Sequence, residues 1–361
     1  MPDDESLGRG QSMPQQAWVI RRDGLNDLVA RLVAESEVIA PRAAVDGDVL
    51  FGAVTSPDEV RWNYANTLLP PKQFVLPQTD PLISIRREGA RVDLTPVAGG
   101  RPRVLLGVRS CDARALAFQR RVLESDLPDD SYLRRADALT VVTLACTTPC
   151  ESGFCICCDA GPFLSTGFDL QLTELEGSYF AEIGSERGQR LVAGARDVFL
   201  PASAALVEQR EKRAAMAASS FGTSTAHLGS AMRRISTGRV KDELWEAISG
   251  ECFSCGSCNF VCPTCYCFSV HDRGDDHGWL RCRLWDSCQF PAFTLEASGH
   301  NPRVQRKDRV KRRFFHKLSA QYFKRDGMAG CVGCGRCIRV CLGTTHMPAV
   351  VAAVRKGVWH A

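Results

Sequence analysis

Near the C-terminus, two cysteine runs share one spacing: Cys252, Cys255, Cys258 and Cys262, then Cys331, Cys334, Cys337 and Cys341. Each reads C-x₂-C-x₂-C-x₃-C, the ferredoxin ligand spacing for a [4Fe–4S] cube; Pro263 follows the first run and Leu342 takes that place in the second. Three thiolates at this interval wrap one cluster from a single loop, while the fourth is thrown onto a following helical turn and reaches the neighbouring cube. The spacing therefore predicts one cluster on Cys252, Cys255, Cys258 and Cys341, and a second on Cys331, Cys334, Cys337 and Cys262. Such a chain carries single electrons. Zinc would use CxxC pairs in closed tetrahedral sites and leaves Cys258, Cys262, Cys337 and Cys341 without a reason. Covalent haem is excluded because no CxxC is followed by His.

Six further cysteines lie in the N-terminal half: Cys111, Cys146, Cys150, Cys155, Cys157 and Cys158. Cys111 follows a buried run ending at Val108, and Cys146 ends the next such run. Strand ends of this kind line the crevice where open α/β sheets place ligands. If the two strands are neighbours, the two thiols converge, and the Gly/Pro loop that follows can close over a third [4Fe–4S] cluster held by Cys111, Cys146, Cys155 and Cys157. Burial as ordinary core thiols would account for Cys111 and Cys146 alone, but not for four cysteines crowded into one loop. Cys265, Cys267, Cys282 and Cys288 remain open between redox thiols, another metal site and packing around the clusters, with packing preferred.

The elements that must position these thiols are legible in outline. In a chain of 361 residues, 45% hydrophobic and 24% charged, there is room for two domains. The expected division is a disordered polar tip at 1–16, an α/β or α+β domain at 17–213, a linker rich in Ala, Ser and Gly at 214–239, and a dicluster domain at 240–361. A strand at Ala17–Ile20 and a helix at Leu25–Val33 open the first domain. Strand material follows at Val45–Val54 around Asp46-Gly47, with a hairpin at Leu82–Val97 turning at Glu88-Gly89. Val104–Val108, a helix over Asp112–Leu123 and Leu139–Ala145 then read as a βαβ unit. The proline-rich segment Asn66–Thr79 is an ordered extended loop. Helices are expected at Arg190–Val198, Ala202–Met216 and Asp242–Ser249. The long interval between Cys262 and Cys331, with helical pattern at Arg309–Phe323, favours an α-helical ferredoxin arrangement over the βαβ type.

The formal charge is +4. A [4Fe–4S] core held by four thiolates carries about −2, so two clusters bring the whole near neutrality. Global charge thus argues for neither nucleic acid nor a membrane surface, no run approaches 18 apolar residues, and no apolar leader follows the N-terminus. A cytoplasmic protein is expected. One basic run, Arg303 to Arg325, reads as a solvated helix face, with docking of an acidic partner or electrostatic support of the clusters as alternatives. Arg336, beside Cys337, is expected to favour the reduced, more negative state of a cluster.

As a set, NTLLPPKQFVLPQTD (66–80), GVRSCDARAL (107–116), GFDLQLTEL (167–175), CGSCNFVCPTCYCF (255–268), WDSC (285–288), GHNPR (299–303) and CVGCGRCIRVC (331–341) resemble the β subunit of cytosolic NAD(P)-linked [NiFe] hydrogenases of the sulfhydrogenase type. The A subunit of anaerobic sulfite reductase is similar. The resemblance implies a hetero-oligomer in which this chain passes electrons between an FAD- and NAD(P)H-binding subunit and the small and large [NiFe] hydrogenase subunits. The sequence lacks a G-x-G-x-x-G opening a helix after a strand, and it has no separated CxxC pairs for a nickel–iron centre. A relay in a sulfite reductase or another flavin-dependent reductase complex is the alternative. A reading of another class is a thiol enzyme that reduces sulfur compounds through Cys265, Cys267 or Cys288. A zinc-bound scaffold is a third.

Overall fold

The computed structural model describes residues 17–360 apart from 98, 222–225 and 276–277. The polar tip at 1–16 lies outside the described residues. Eight strands make the main sheet: β1 (Trp18–Arg21), β2 (Glu37–Ala43), β3 (Val49–Val54), β6 (Arg103–Arg109), β7 (Leu139–Leu144), β8 (Leu170–Leu175), β9 (Ser178–Ile183) and β10 (Phe199–Pro201), in the order β10-β1-β9-β8-β7-β6-β2-β3. The central strands β2, β6, β7 and β8 run parallel. Their middles are largely buried on both faces, as strands covered by helices on either side are, with the longest apolar run in β6. One face is covered by α1 (Arg22–Glu35), whose Leu25, Leu28, Val29 and Leu32 form one helical stripe, and by α4 (Glu186–Gly194). The other is covered by α2 (Ser110–Glu124) and α3 (Asp130–Asp137), with Ala113, Leu116 and Tyr132 in its core.

The βαβ reading holds with one addition: α2 and then α3 lie between β6 and β7, and β6 pairs in parallel with β7. The hairpin at Glu88-Gly89 is also present, as β4 (Thr79–Glu88) and β5 (Arg91–Pro96).

Two expectations about domain organisation are corrected. Residues 268–285 form a hairpin, β11 (Phe268–Asp275) and β12 (Gly278–Trp285), and β12 pairs with β4. The C-terminal half thus completes a four-stranded sheet, β11-β12-β4-β5, begun in the N-terminal half. Buried Arg283 clamps the join through Asp80, 2.6 Å away, and Asp129, while Arg135 also reaches Asp80 at 2.6 Å. The segment expected as linker is no tether either. The helix α5 (Ala204–Ser219) runs into it, and α6 (Leu228–Ser236) buries Leu228, Ala231 and Ile235 in the second core.

That second core is helical. It gathers α6, α7 (Asp242–Gly250), α9 (Arg306–Leu318) and α12 (Met347–Lys356), with α10 (Ala320–Asp326) packed on α6 and α9. Trp245 stacks on Phe314 with ring centroids 6.2 Å apart. Two one-turn helices, α8 (Ser257–Phe260) and α11 (Arg336–Arg339), sit inside the cysteine runs. The helical arrangement expected for the dicluster region is the one observed. Among the described residues, no helix is long and apolar enough to cross a membrane.

Candidate metal centres

The two cysteine runs fold alike. Each loop turns through a left-handed glycine, Gly256 (φ +75°) or Gly335 (φ +76°), directly before its short helix. Each fourth cysteine follows the helix, and α8 packs against α11, so each fourth cysteine is carried toward the opposite loop. Cys262 belongs to the immediate electrostatic surroundings of Cys331, Cys334 and Cys337. On the other side, a Cβ on Gly343 would stand 1.7 Å from the Glu251 carbonyl oxygen and 3.2 Å from the Phe253 ring. The chain just after Cys341 therefore lies against the chain just before Cys255.

The thiols differ in exposure. Cys255 is exposed, and its hydrogen bond with Ser257 holds it below the ordinary thiol range. Burial pushes Cys258 up to about 12. The second loop lies under the N-terminal cysteine loop: the Phe154 N–H donates to the Gly333 carbonyl at 2.8 Å, and a Cβ on Gly335 would be 2.1 Å from the Ser152 carbonyl oxygen. Glycine is required at 335 both by its φ and by this close approach.

In the N-terminal half, β6 and β7 are neighbours, and Cys111 and Cys146 both fall within the electrostatic surroundings of Tyr64. Cys111 begins α2 and is buried; Cys146 follows β7. Burial, then Cys146 and Cys150, push Cys155 up to about 12, and burial followed by Cys146 raises Cys150. Cys155 also borders Cys111. Cys146, Cys150 and Cys155 therefore share one electrostatic neighbourhood, which Cys155 links to Cys111. Cys157 follows in the same loop. The 3₁₀ turn Cys155–Cys158 swings its sulfur toward the second core, where it accepts the Ala226 N–H at 3.4 Å. Cys158 is turned toward Cys331.

Sequence reasoning missed most of the charge around these thiols. Three cations are buried beside them: Lys72 at 3% exposure, Arg313 at 7% and Lys317 at 6%. Lys72 donates to the Cys262 and Cys265 carbonyls, both at 2.9 Å. Lys317 donates to Thr264 Oγ1 at 2.6 Å, and Arg313 to the Thr345 carbonyl at 3.3 Å. Burial opposes the charge on Arg313 and Lys317. Thiolates outweigh it, Cys258 and Cys337 for the first and Cys262 and Cys265 for the second, so both are held above their ordinary ranges. For Lys72 burial wins, and the ammonium falls to about 8. Among the described residues, none of the three forms an ion pair with a carboxylate. The solvated-face reading of the run 303–325 is corrected accordingly, because Arg309, Arg313 and Lys317 point inward.

Arg336 adds to this charge, since it favours the thiolates of Cys334 and Cys111. Its guanidinium is fully buried and pairs with both Asp112 oxygens at 2.6 and 2.7 Å, while the Thr67 carbonyl accepts from it at 2.6 Å. The pair also joins the two halves. The extended segment 66–72 serves the same join, since Asn66 donates to the Cys334 carbonyl at 3.0 Å and Lys72 to the first run.

The remaining cysteines separate by place. Cys282 is buried in β12 opposite His271 and Pro81. Cys265 borders Cys262, and Cys267 faces Cys288. Among the described residues, no three His, Cys, Asp or Glu side chains are grouped to hold a single metal ion, the grouping that a closed zinc site uses.

Residues 251–345 match the family described as "4Fe-4S dicluster domain". The chain is also 33% identical, over 309 residues, to "Sulfhydrogenase 2 subunit beta" of Pyrococcus furiosus, an alignment that covers 85% of this chain and 89% of that one. With two cysteine loops of one spacing, the dicluster match and that extent of identity, the chain belongs to the sulfhydrogenase β-subunit family and is an iron–sulfur protein.

Proposed function

We propose that this chain relays single electrons, within a cytoplasmic hetero-oligomer, between a flavin- and NAD(P)H-binding subunit and the small subunit of a [NiFe] hydrogenase. The observation that carries this reading is the set of buried cations. A buried cation with no counter-charge is strongly unfavourable. Lys72, Arg313 and Lys317 face thiols instead of carboxylates, which is the environment that anionic thiolate-bound clusters require.

The proposed ligand sets are Cys252, Cys255, Cys258 and Cys341 for one [4Fe–4S] cluster, and Cys331, Cys334, Cys337 and Cys262 for a second. A third is assigned to Cys111, Cys146, Cys155 and, in place of Cys157, Cys150. When bound, such clusters accept and return one electron each. The protein's own part is to exclude water, to hold the thiols from both halves at short separations, and to set the local charge. Removing Cys150 is expected to lower iron by about four atoms per chain, one cubane's worth. Removing Cys157 should leave iron unchanged. Metal analysis of Cys150→Ser and Cys157→Ser checks this, and loss of iron from Cys157→Ser alone would restore the original set.

The relay role is tested by omission from a reconstituted assembly. Without this chain, hydrogen-driven reduction of the pyridine nucleotide should vanish while hydrogen-driven reduction of an artificial dye persists. Undiminished nucleotide reduction would refute the relay.

A further inference from the structure

One pair of thiols is left over from the proposed ligand sets and faces a cavity, with Asn259 between it and Cys258, whose sulfur donates to Asn259 Oδ1 at 3.4 Å. Cys267 and Cys288 are neighbours at the root of the β11–β12 hairpin, where the Asp286 N–H donates to the Cys267 carbonyl at 2.9 Å. Amide donors converge on the sulfur of Cys288: Asn259 Nδ2 lies 3.1 Å away and Gln289 Nε2 3.5 Å. Asn259 is buried and also stands 4.0 Å from the Cys267 sulfur. Both thiols line a cavity of about 360 Å³ whose walls include Arg303, Arg312 and Arg325. Arg325 is paired with Asp326. Among the described residues, Arg303 and Arg312 have no carboxylate partner; Arg312 donates to the Tyr322 hydroxyl. His316, also in the wall, shares a hydrogen bond with Tyr266 at 3.0 Å.

A dithiol of this kind has defined chemistry. A thiolate attacks a disulfide sulfur, and a second thiol resolves the mixed disulfide. Two amide N–H groups aimed at one sulfur favour its thiolate, which marks Cys288 as the attacking group and Cys267 as the resolving one. Two guanidinium groups without protein counter-ions select an anionic ligand, and carboxylates fit their fork.

We infer that Cys267 and Cys288 form a dithiol–disulfide couple that reduces small disulfides bearing carboxylate groups, bound by Arg303 and Arg312. In the first half, Cys288 attacks one sulfur of the ligand and expels one thiolate. Cys267 then displaces the second thiolate, forming the Cys267–Cys288 disulfide, and the two protons of the dithiol leave with the two thiol products. In the second half, the protein disulfide takes up two electrons and two protons and returns to the dithiol. Those electrons come from the relay, so turnover rests on the proposed function; the first half does not.

The test uses the full chain, reduced and freed of excess reductant, mixed with 3,3′-dithiodipropionate, and reads released thiol together with peptide mass mapping. Wild type should release two thiols per chain and yield a Cys267–Cys288 cross-link. Cys288→Ser should release none, and Cys267→Ser should release one and remain as a mixed disulfide on Cys288. Arg303→Ala with Arg312→Ala should slow the dicarboxylate reaction about tenfold, in the range of electrostatic steering, with the neutral bis(2-hydroxyethyl) disulfide unaffected. Thiol release undiminished in Cys288→Ser would overturn the inference. So would loss of iron from Cys267→Ser or Cys288→Ser, because the pair would then be ligands. A failed relay with intact stoichiometric exchange would leave the dithiol site standing and would refute the proposed function alone.

Discussion

Replacing Lys317 with methionine lowers the reduction potential of the cluster assigned to Cys262, Cys331, Cys334 and Cys337 by on the order of 100 mV. The scale follows from one unit charge roughly 7 Å away at an effective dielectric near 20, about 2.4 kcal/mol, with about 59 mV per tenfold change for a one-electron couple. The sign follows from charge. Reduction adds a negative charge beside a buried ammonium whose electrostatic partners are Cys262, Cys265 and Cys331, and methionine keeps the length of the stem without that compensation. Redox titration followed by EPR reads the shift. A potential that does not move would place the Lys317 charge outside the cluster's field. Lys317→Arg, which keeps the charge, is expected to restore most of the potential, and this separates electrostatics from repacking.

The second large effect is on stability. Arg336 and Asp112, at 0% and 1% side-chain exposure, form the buried pair that joins the second cysteine run to α2. Removing one partner leaves the other charged and buried, which costs about 3–5 kcal/mol. Asp112→Asn and Arg336→Met should each lower the stability measured by urea unfolding by that amount. The double variant Asp112→Leu/Arg336→Met should recover much of it, because burying two apolar groups avoids the uncompensated charge. If either single variant is as stable as the wild type, the pair does not hold the two halves together.

How far the molecule can be read from its sequence depends on whether a signal is local. The cysteine spacing is local, and it carries both loops and the short helix inside each. The βαβ order is local as well, so the placing of Cys111 and Cys146 just past neighbouring strand ends follows from two adjacent parallel strands. The pairing of β12 with β4 is not local. It joins Arg283 to Asp80, and nothing near either residue announces the other. The stretch 228–236 reads as linker because it continues the Ala/Ser/Gly-rich run from Ala214 to Ser230, although Leu228, Ala231 and Ile235 already have helical spacing.

Fourth ligands are a harder case. The placing of Cys157 goes with the 3₁₀ turn at Cys155–Cys158 and the contact with Ala226, a distant partner that no local signal names. The buried cations did leave a mark. Arg309, Arg313 and Lys317 recur every four residues beside the apolar stripe Val310, Phe314 and Leu318, and a basic row at the edge of a buried stripe points inward as readily as out. Lys72 carries a similar sign, since it follows two prolines in a segment otherwise poor in charge.

The most direct measurement is iron and acid-labile sulfide per chain on anaerobically purified protein, together with low-temperature EPR of the reduced sample. Three cubanes predict about twelve iron and twelve sulfide per chain, with interacting spectra that span both halves of the molecule. About eight iron would remove the N-terminal site and confine the relay to the two C-terminal loops, and zinc without iron would contradict the account altogether.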